Sequence, residues 1–141
     1  MEKDKIKVAA YLRLSKEEFS NEKESNSITN QKLIIDNYLE KNKEYKLVDY
    51  YIDDGYSGTN FNRPEFQRML EDIKNKKIDV IVIKDLSRLG RNYIETGNFI
   101  EVIFPGMGVS VISVDENCEI DSSDYYGDDY LPLKNLFNDT Y

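Results

Sequence analysis

The sequence contains no histidine and no tryptophan, and its only cysteine is Cys118. Without histidine, neither a Ser-His-Asp triad nor a Cys-His nucleophile pair can form within this chain. A single cysteine excludes an internal disulfide framework, and the missing histidines argue against a zinc site. No apolar run approaches the roughly 20 residues of a membrane-spanning helix, and the N terminus does not resemble a signal peptide. We therefore expect a cytoplasmic protein with no membrane partner and no metal or other cofactor.

Charge is abundant, but its balance is acidic. The 141 residues include 27 acidic and 19 basic side chains, which give a formal net charge of −8. By itself this balance argues against a nucleic-acid partner, because a DNA-binding domain usually carries a basic stripe. The length and the 40% apolar content suit one globular domain with one core.

Strand-like and helix-like segments alternate along the chain. Short runs rich in β-branched residues predict strands at residues 6–12, 45–52, 78–83 and 108–114. Apolar residues at helical spacing follow Ser27, Pro64 and Thr96, and Pro105 is expected to end the third helix. This alternation predicts an α/β fold with a mostly parallel central sheet of four or five strands and helices on both faces. The polar second strand is the expected edge.

The C-terminal part of the chain reads differently. Residues 115–129 contain seven acidic residues and no lysine or arginine, which predicts a solvated loop that includes Cys118; its acids match no calcium-loop spacing. Beyond it, Leu133, Leu136 and Phe137 recur at helical spacing up to the last residue. We expect residues 1–141 to form one domain that is cut within a C-terminal helix.

Arginine is concentrated where the predicted strands end. There are only five arginines, and four of them follow the first three strands: Arg13, Arg63, Arg88 and Arg91. Ser15 stands beside the first of these. Because the carboxyl ends of parallel strands meet at one edge of a sheet, these side chains should lie together. Several guanidinium groups around one hydroxyl would suit a phosphoryl group. Any one of these arginines taken alone is better explained as a surface ion-pair partner, but the four together favour the phosphoryl site.

Four ordered motifs resemble one known family. The segments "YLRLS", "NSITNQ", "DGYSGTNFNRPEF" and "DLSRLGRN" lie in this order between residues 8 and 92, and together they resemble the catalytic domain of the serine recombinases, the resolvase/invertase family. The resemblance implies that Ser15 attacks a DNA phosphodiester and becomes joined to the 5′ phosphate, releasing a 3′ hydroxyl. It also implies that the four arginines surround the scissile phosphate. The supporting residues it implies are Tyr11, Gln31, Asp54, Ser57, Asp85 and Ser87.

Two departures from the resolvase pattern point to its large branch, which includes phage integrases and transposon recombinases. Ser87 stands where resolvases commonly have an aspartate before the arginine, with Asp85 two residues earlier, so the general acid stays open. The segment "KEEFSNEKESN" is also longer than in small resolvases. The resemblance implies DNA as the partner, bound mainly through a C-terminal region that this chain lacks, and self-association into dimers and synaptic tetramers.

Alternatives stay open at several of these positions. Gln31 could be an ordinary buried amide, and Asp54 and Ser57 are standard turn formers. The domain could also be a phosphate-binding or dimerisation module without catalysis, although it contains no glycine-rich nucleotide-binding motif.

Overall fold

The structure is a computed structural model that describes residues 5–15, 27–115 and 118–120. Its sheet contains five strands: β1 (Ile6–Leu14), β2 (Tyr45–Asp54), β3 (Val80–Ile83), β4 (Ser110–Ser113) and β5 (Cys118–Ile120). The strand order is β2-β1-β3-β4-β5, and only β5 is antiparallel to its neighbour. The predicted mostly parallel sheet is confirmed, with the polar β2 at an edge.

Helices cover both faces of this sheet. They are α1 (Ile28–Lys41), α2 (Pro64–Lys74), α3 (Leu86–Leu89), α4 (Tyr93–Asn98), a π-helical turn (Phe99–Ile103) and α5 (Phe104–Gly106). Ile35 of α1 packs on one face of the sheet. The core side chains of α2 and of the segment from α4 to α5 pack on the other face. Covered on both sides, the centre of β1 is fully buried from Val8 to Arg13. This explains its continuous apolar run.

The predicted starts of the first two helices are confirmed, whereas the third begins at Tyr93, before the predicted pattern at Thr96. Ser27 caps α1, where its hydroxyl oxygen accepts a hydrogen bond of 3.0 Å from the backbone N–H of Asn30. Pro64 occupies the first turn of α2, where its missing N–H leaves no hydrogen bond unmade.

The third helix ends later than predicted. It continues past Pro105 as far as Gly106, because the turn before the proline widens into π geometry and the N–H of Phe104 bonds to the carbonyl of Phe99. The wider turn gives the proline ring room and removes the need for a donor at that position. Gly108, with φ of +74°, then directs the chain into β4.

The prediction of a loop over residues 115–129 is wrong in part. Cys118 lies in β5, whose backbone pairs with the outer edge of β4, so that Val111 stands opposite Ile120. Three residues are enough for a strand when a neighbouring edge supplies the pairing partners, and local composition carries no signal of that edge. The predicted C-terminal helix and the segment 16–26 lie outside the described residues. Within the described ranges, no helix combines the length and the apolar character that a membrane span requires.

Candidate active site

The loops that follow β1, β2 and β3 meet at the carboxyl edge of the sheet. The backbone N–H groups of Gly55 and Tyr56 donate to the carbonyl of Leu14 at 2.6 and 3.1 Å, which ties the loop after β2 to the end of β1. The N–H of Arg91 donates to the carbonyl of Gly58 at 2.7 Å, which joins the same loop to the one after β3. Ser15, 7% exposed, sits one residue beyond β1 at this junction.

Arg13 is fully buried on β1 and connects this strand to the loops after β2 and β3. Its guanidinium donates from Nε to the carbonyl of Arg88 (3.2 Å), from Nη1 to that of Tyr56 (3.0 Å) and from Nη2 to that of Ser87 (2.6 Å). Gly58 is required beside it, because a Cβ at that position would lie 2.8 Å from Nη2. These contacts fix the guanidinium and fasten both neighbouring loops to β1.

Arg88 returns the contact from the loop after β3. Its Nη1 donates to the carbonyl of Arg13 at 2.8 Å, and the side-chain amide nitrogen of Gln31 donates to the same oxygen at 2.9 Å. The amide oxygen of Gln31 accepts from the backbone N–H of Arg13 at 3.3 Å. The buried Gln31 therefore substitutes for a strand partner at the end of β1 and holds the backbone two residues before Ser15.

A second buried group joins Arg63, Tyr11 and Asp53. The Tyr11 hydroxyl accepts from Arg63 Nη1 at 2.7 Å and donates to Asp53 Oδ2 at 2.8 Å. Burial raises the pKa of Tyr11 well above its ordinary value, with Asp53 adding to the rise and Arg63 opposing it, so the phenol stays protonated. Arg63 also donates from Nη2 to the carbonyl of Leu89 at 2.6 Å. Like Arg13, it therefore holds the loop after β3 in place.

Asp53 was not among the predicted site residues. Its two carboxylate oxygens accept from the backbone N–H groups of Glu65 and Phe66, both at 3.0 Å, and so cap α2 from the neighbouring strand. The predicted second strand stops at residue 52, whereas β2 continues to Asp54. Side chains alternate between the two faces of a strand, so a predicted strand extended past residue 52 would have placed Asp53 on the same face as the buried Tyr51.

A third group lies at the ends of β3 and β4. The Ser87 hydroxyl donates to Asp85 Oδ1, and Lys84 Nζ lies 3.2 Å from Asp85 Oδ2 and 2.7 Å from Asp115 Oδ2. Burial alone would raise the pKa of Asp85, but the Ser87 hydrogen bond and the positive charges of Arg88 and Lys84 outweigh it and lower the pKa. Asp85 is therefore ionised at neutral pH.

Of the remaining predicted residues, Arg91 adjoins this network, because its backbone N–H bonds to Gly58, which packs against the Arg13 guanidinium. Asp54 is exposed, and the Ser57 hydroxyl bonds to Thr59, at 2.8 Å to its hydroxyl and 3.1 Å to its N–H, which is a turn contact. Arg91 is the exposed arginine of the four. Arg68, mid-helix in α2, pairs instead with Glu65 and Asp49 on the surface.

This fold and edge match one protein family. The family model described as "Resolvase, N terminal domain" matches residues 8–140. The chain therefore belongs to the resolvase family and is a serine recombinase catalytic domain. Among curated proteins, none matches the sequence.

Three solved structures illustrate the relationship. The N-terminal catalytic domain of TP901-1 integrase is 28% identical, with a TM-score of 0.75 over 95% of this chain and 93% of that one. A resolvase family site-specific recombinase from Streptococcus pneumoniae is 29% identical, with a TM-score of 0.71 over 96% and 86%. The C-terminal catalytic domain of ISC1926 TnpA, an IS607-like serine recombinase, is 30% identical, with a TM-score of 0.62 over 77% and 67%. The similarity to an integrase agrees with the predicted resemblance to the branch that includes integrases.

Proposed function

We propose that this domain cleaves and rejoins DNA with Ser15 as the nucleophile. The observation that carries the proposal is the convergence of Ser15 with Arg13, Arg63 and Arg88, all buried, at one edge of the sheet, with the exposed Arg91 in the same loop as Arg88. Buried guanidinium groups that are fixed before substrate arrives stabilise charge without reorganisation, which is the property that phosphoryl transfer requires.

The proposed reaction conserves the number of phosphate ester bonds. The Ser15 oxygen forms a bond to the phosphorus of a DNA phosphodiester as its proton leaves, and the bond from phosphorus to the 3′ oxygen breaks. The 3′ oxygen takes up a proton and leaves as a hydroxyl, while the 5′ phosphate stays esterified to the serine. Attack by a 3′ hydroxyl reverses these steps on the same or another strand, so rejoining needs no external energy source.

The arginines divide the work between them. Arg13 and Arg63 donate several of their guanidinium N–H groups to backbone carbonyls. Their main contribution is therefore to hold the loops in place and to supply fixed positive charge. Arg91 is exposed and is the arginine best placed to meet an incoming phosphate oxygen. Arg88 is buried like Arg13 and Arg63, and it donates to the backbone carbonyl of Arg13, two residues before Ser15.

We further propose that the reaction serves integration, excision or transposition of a mobile element. This rests on two relatives, one described as an integrase and one as an IS607-like recombinase. DNA as substrate belongs to the same proposal. So does self-association into dimers and tetramers of the intact protein, by which we mean this domain joined to the C-terminal DNA-binding region that the family resemblance implies.

An end-labelled suicide DNA substrate tests the polarity of cleavage. With the intact protein, we expect the cleaved strand to carry a free 3′ hydroxyl and the 5′ end to be blocked by protein. Ser15→Ala should abolish cleavage while DNA binding persists, and Ser57→Ala, a turn variant, should cleave. A free 5′ phosphate, or cleavage by Ser15→Ala, would refute the proposal, and a module that only binds phosphate would give no adduct at all.

A further inference from the structure

Arg88 is held by side chains as well as by backbone. Its Nε and Nη2 donate to the Ser87 hydroxyl oxygen at 3.3 and 3.1 Å, and Nε lies 3.5 Å from Asp85 Oδ1. Since the Ser87 hydroxyl donates its proton to Asp85, its lone pairs are directed toward Arg88. The Asp85 carboxylate therefore orients the Ser87 hydroxyl.

The carboxylate is itself fixed from the other side. Lys84 Nζ bridges Asp85 on β3's end and Asp115 beyond β4, and its side chain is only 11% exposed. Charges of alternating sign therefore follow one another from Asp115 through Lys84 to Asp85. The Ser87 hydroxyl then links Asp85 to Arg88 by hydrogen bonds. A flexible lysine shared by two carboxylates is restrained more than a surface lysine would be.

We propose that Asp85, acting through Ser87, is a positioning residue for Arg88. Lys84, which also contacts Asp115, fixes the position of the Asp85 carboxylate beside Ser87. This inference rests on the proposed function, since it concerns an arginine that would stabilise the reacting phosphate.

The chemistry of the pair explains why both members are needed. A serine alone could rotate its hydroxyl and donate elsewhere, which would weaken its role as an acceptor for the guanidinium. An asparagine at position 85 presents one donor and one acceptor and removes the charge that attracts Arg88. A single carboxylate at position 87 needs no intermediary, because it can accept from Arg88 directly.

The test measures the rate of Ser15-linked adduct formation by the intact protein on a suicide DNA substrate. Ser87→Ala and Asp85→Asn should each slow the adduct by about 10–100-fold, because the first removes a hydrogen-bond acceptor of the Arg88 guanidinium and the second removes the negative charge that orients the Ser87 hydroxyl. The double variant Asp85→Asn with Ser87→Asp should recover most of this loss, because one carboxylate again meets Arg88. Asp49→Asn, a surface ion-pair variant, should react at the wild-type rate.

Rescue separates positioning from a merely structural role, because a variant that only weakened the fold would not be repaired by a second substitution. Unfolding midpoints of all variants are measured alongside. A wild-type rate for Asp85→Asn, or a double variant as slow as Asp85→Asn while folded, would overturn the inference. Failure of the wild-type protein to form any serine-linked adduct would instead contradict the proposed function.

Discussion

The four arginines at the carboxyl edge differ in what their guanidinium groups already contact. Arg13 and Arg63 are 0% and 1% exposed and donate to carbonyl oxygens of the surrounding loops, whereas Arg91 is exposed. A buried guanidinium loses water as a partner, so the carbonyls are needed to keep it stable there. One amino-acid type thus occurs in two settings at this edge, buried in contacts between loops and exposed to solvent, and the proposed function gives each setting its own role.

Arginine-to-lysine substitutions should separate these two roles. Arg13→Lys leaves buried carbonyls without donors and should lower the free energy of unfolding by about 2–4 kcal/mol, with loss of adduct formation. Arg91→Lys should change stability by less than about 0.5 kcal/mol and still slow the adduct at least about tenfold. Urea unfolding and the suicide-substrate assay measure the two effects.

Arg68→Lys provides the control for charge and residue type. It removes surface contacts with Glu65 and Asp49, so it should cost no more than about 1 kcal/mol and leave the adduct rate unchanged. Equal tolerance of lysine at Arg91 and Arg68 would show that Arg91 does not contact phosphate.

Asp53 and Asp54 are neighbours in sequence, but only substitution of Asp53 should destabilise the fold. Asp53→Asn replaces a carboxylate that accepts from two helix N–H groups and from Tyr11, and it should lower the free energy of unfolding by about 2 kcal/mol. Asp54→Asn, on the exposed side of β2, should change it by less than about 0.5 kcal/mol. Similar denaturation curves for the two variants would contradict the capping role of Asp53.

At the scale of elements, the loop after β3 and helix α4 are packed around a glycine. Gly90 has an extended backbone with φ of −179°, so it is required for space and not for conformation. A Cβ there would lie 2.5 Å from Thr96 Oγ1 and 2.6 Å from Phe61 Cζ, and both side chains are buried. Phe61 is held in turn by Phe66 and Phe99, with ring centroids at 4.9 and 4.6 Å, so it has little freedom to give way.

Two glycine-to-alanine variants test this packing. Gly90→Ala should lower the free energy of unfolding by about 1–3 kcal/mol through overpacking. Gly97→Ala, in α4 with nothing within 4 Å of the added methyl, should raise it by about 0.5–1 kcal/mol because alanine favours helix. Thermal unfolding of the pair would contradict the packing account if both shifts had the same sign.

Elements with long periodic patterns could be predicted, and those defined by distant partners could not. The apolar run of β1 and the caps at Ser27 and Pro64 are local signals, and each agrees with the structure. Helix α3 has four residues, too few for a period to show, and β5 depends on the free edge of β4. In the site, the motifs placed the arginines at the correct edge, but their division into buried and exposed groups follows from contacts between loops.

At the scale of the whole molecule, an acidic chain gathers its arginines at one edge. The net charge is −8, yet Arg13, Arg63, Arg88 and Arg91 meet where three loops converge. Such an arrangement favours a local phosphate contact and disfavours binding along an extended duplex, because the rest of the surface repels the DNA backbone.

DNA binding by the 141-residue domain should therefore be weak, salt-sensitive and indifferent to sequence. A slope of log affinity against log salt that corresponds to only a few phosphate contacts is expected, because the described edge offers few exposed cations. Fluorescence anisotropy with matched and scrambled oligonucleotides measures it. Site-selective binding at physiological salt would contradict the account.

The residue to which DNA becomes covalently attached shows whether Ser15 is the nucleophile. The intact protein is incubated with a suicide DNA substrate in EDTA and without nucleoside triphosphate, and the trapped adduct is digested and mapped by mass spectrometry. We expect the adduct to form in EDTA with the DNA attached to Ser15, because the arginines supply the positive charge. Ser15→Ala should form no adduct, and Ser87→Ala should form it more slowly at the same residue. Attachment at any other residue, or loss of the adduct on chelation, would contradict it.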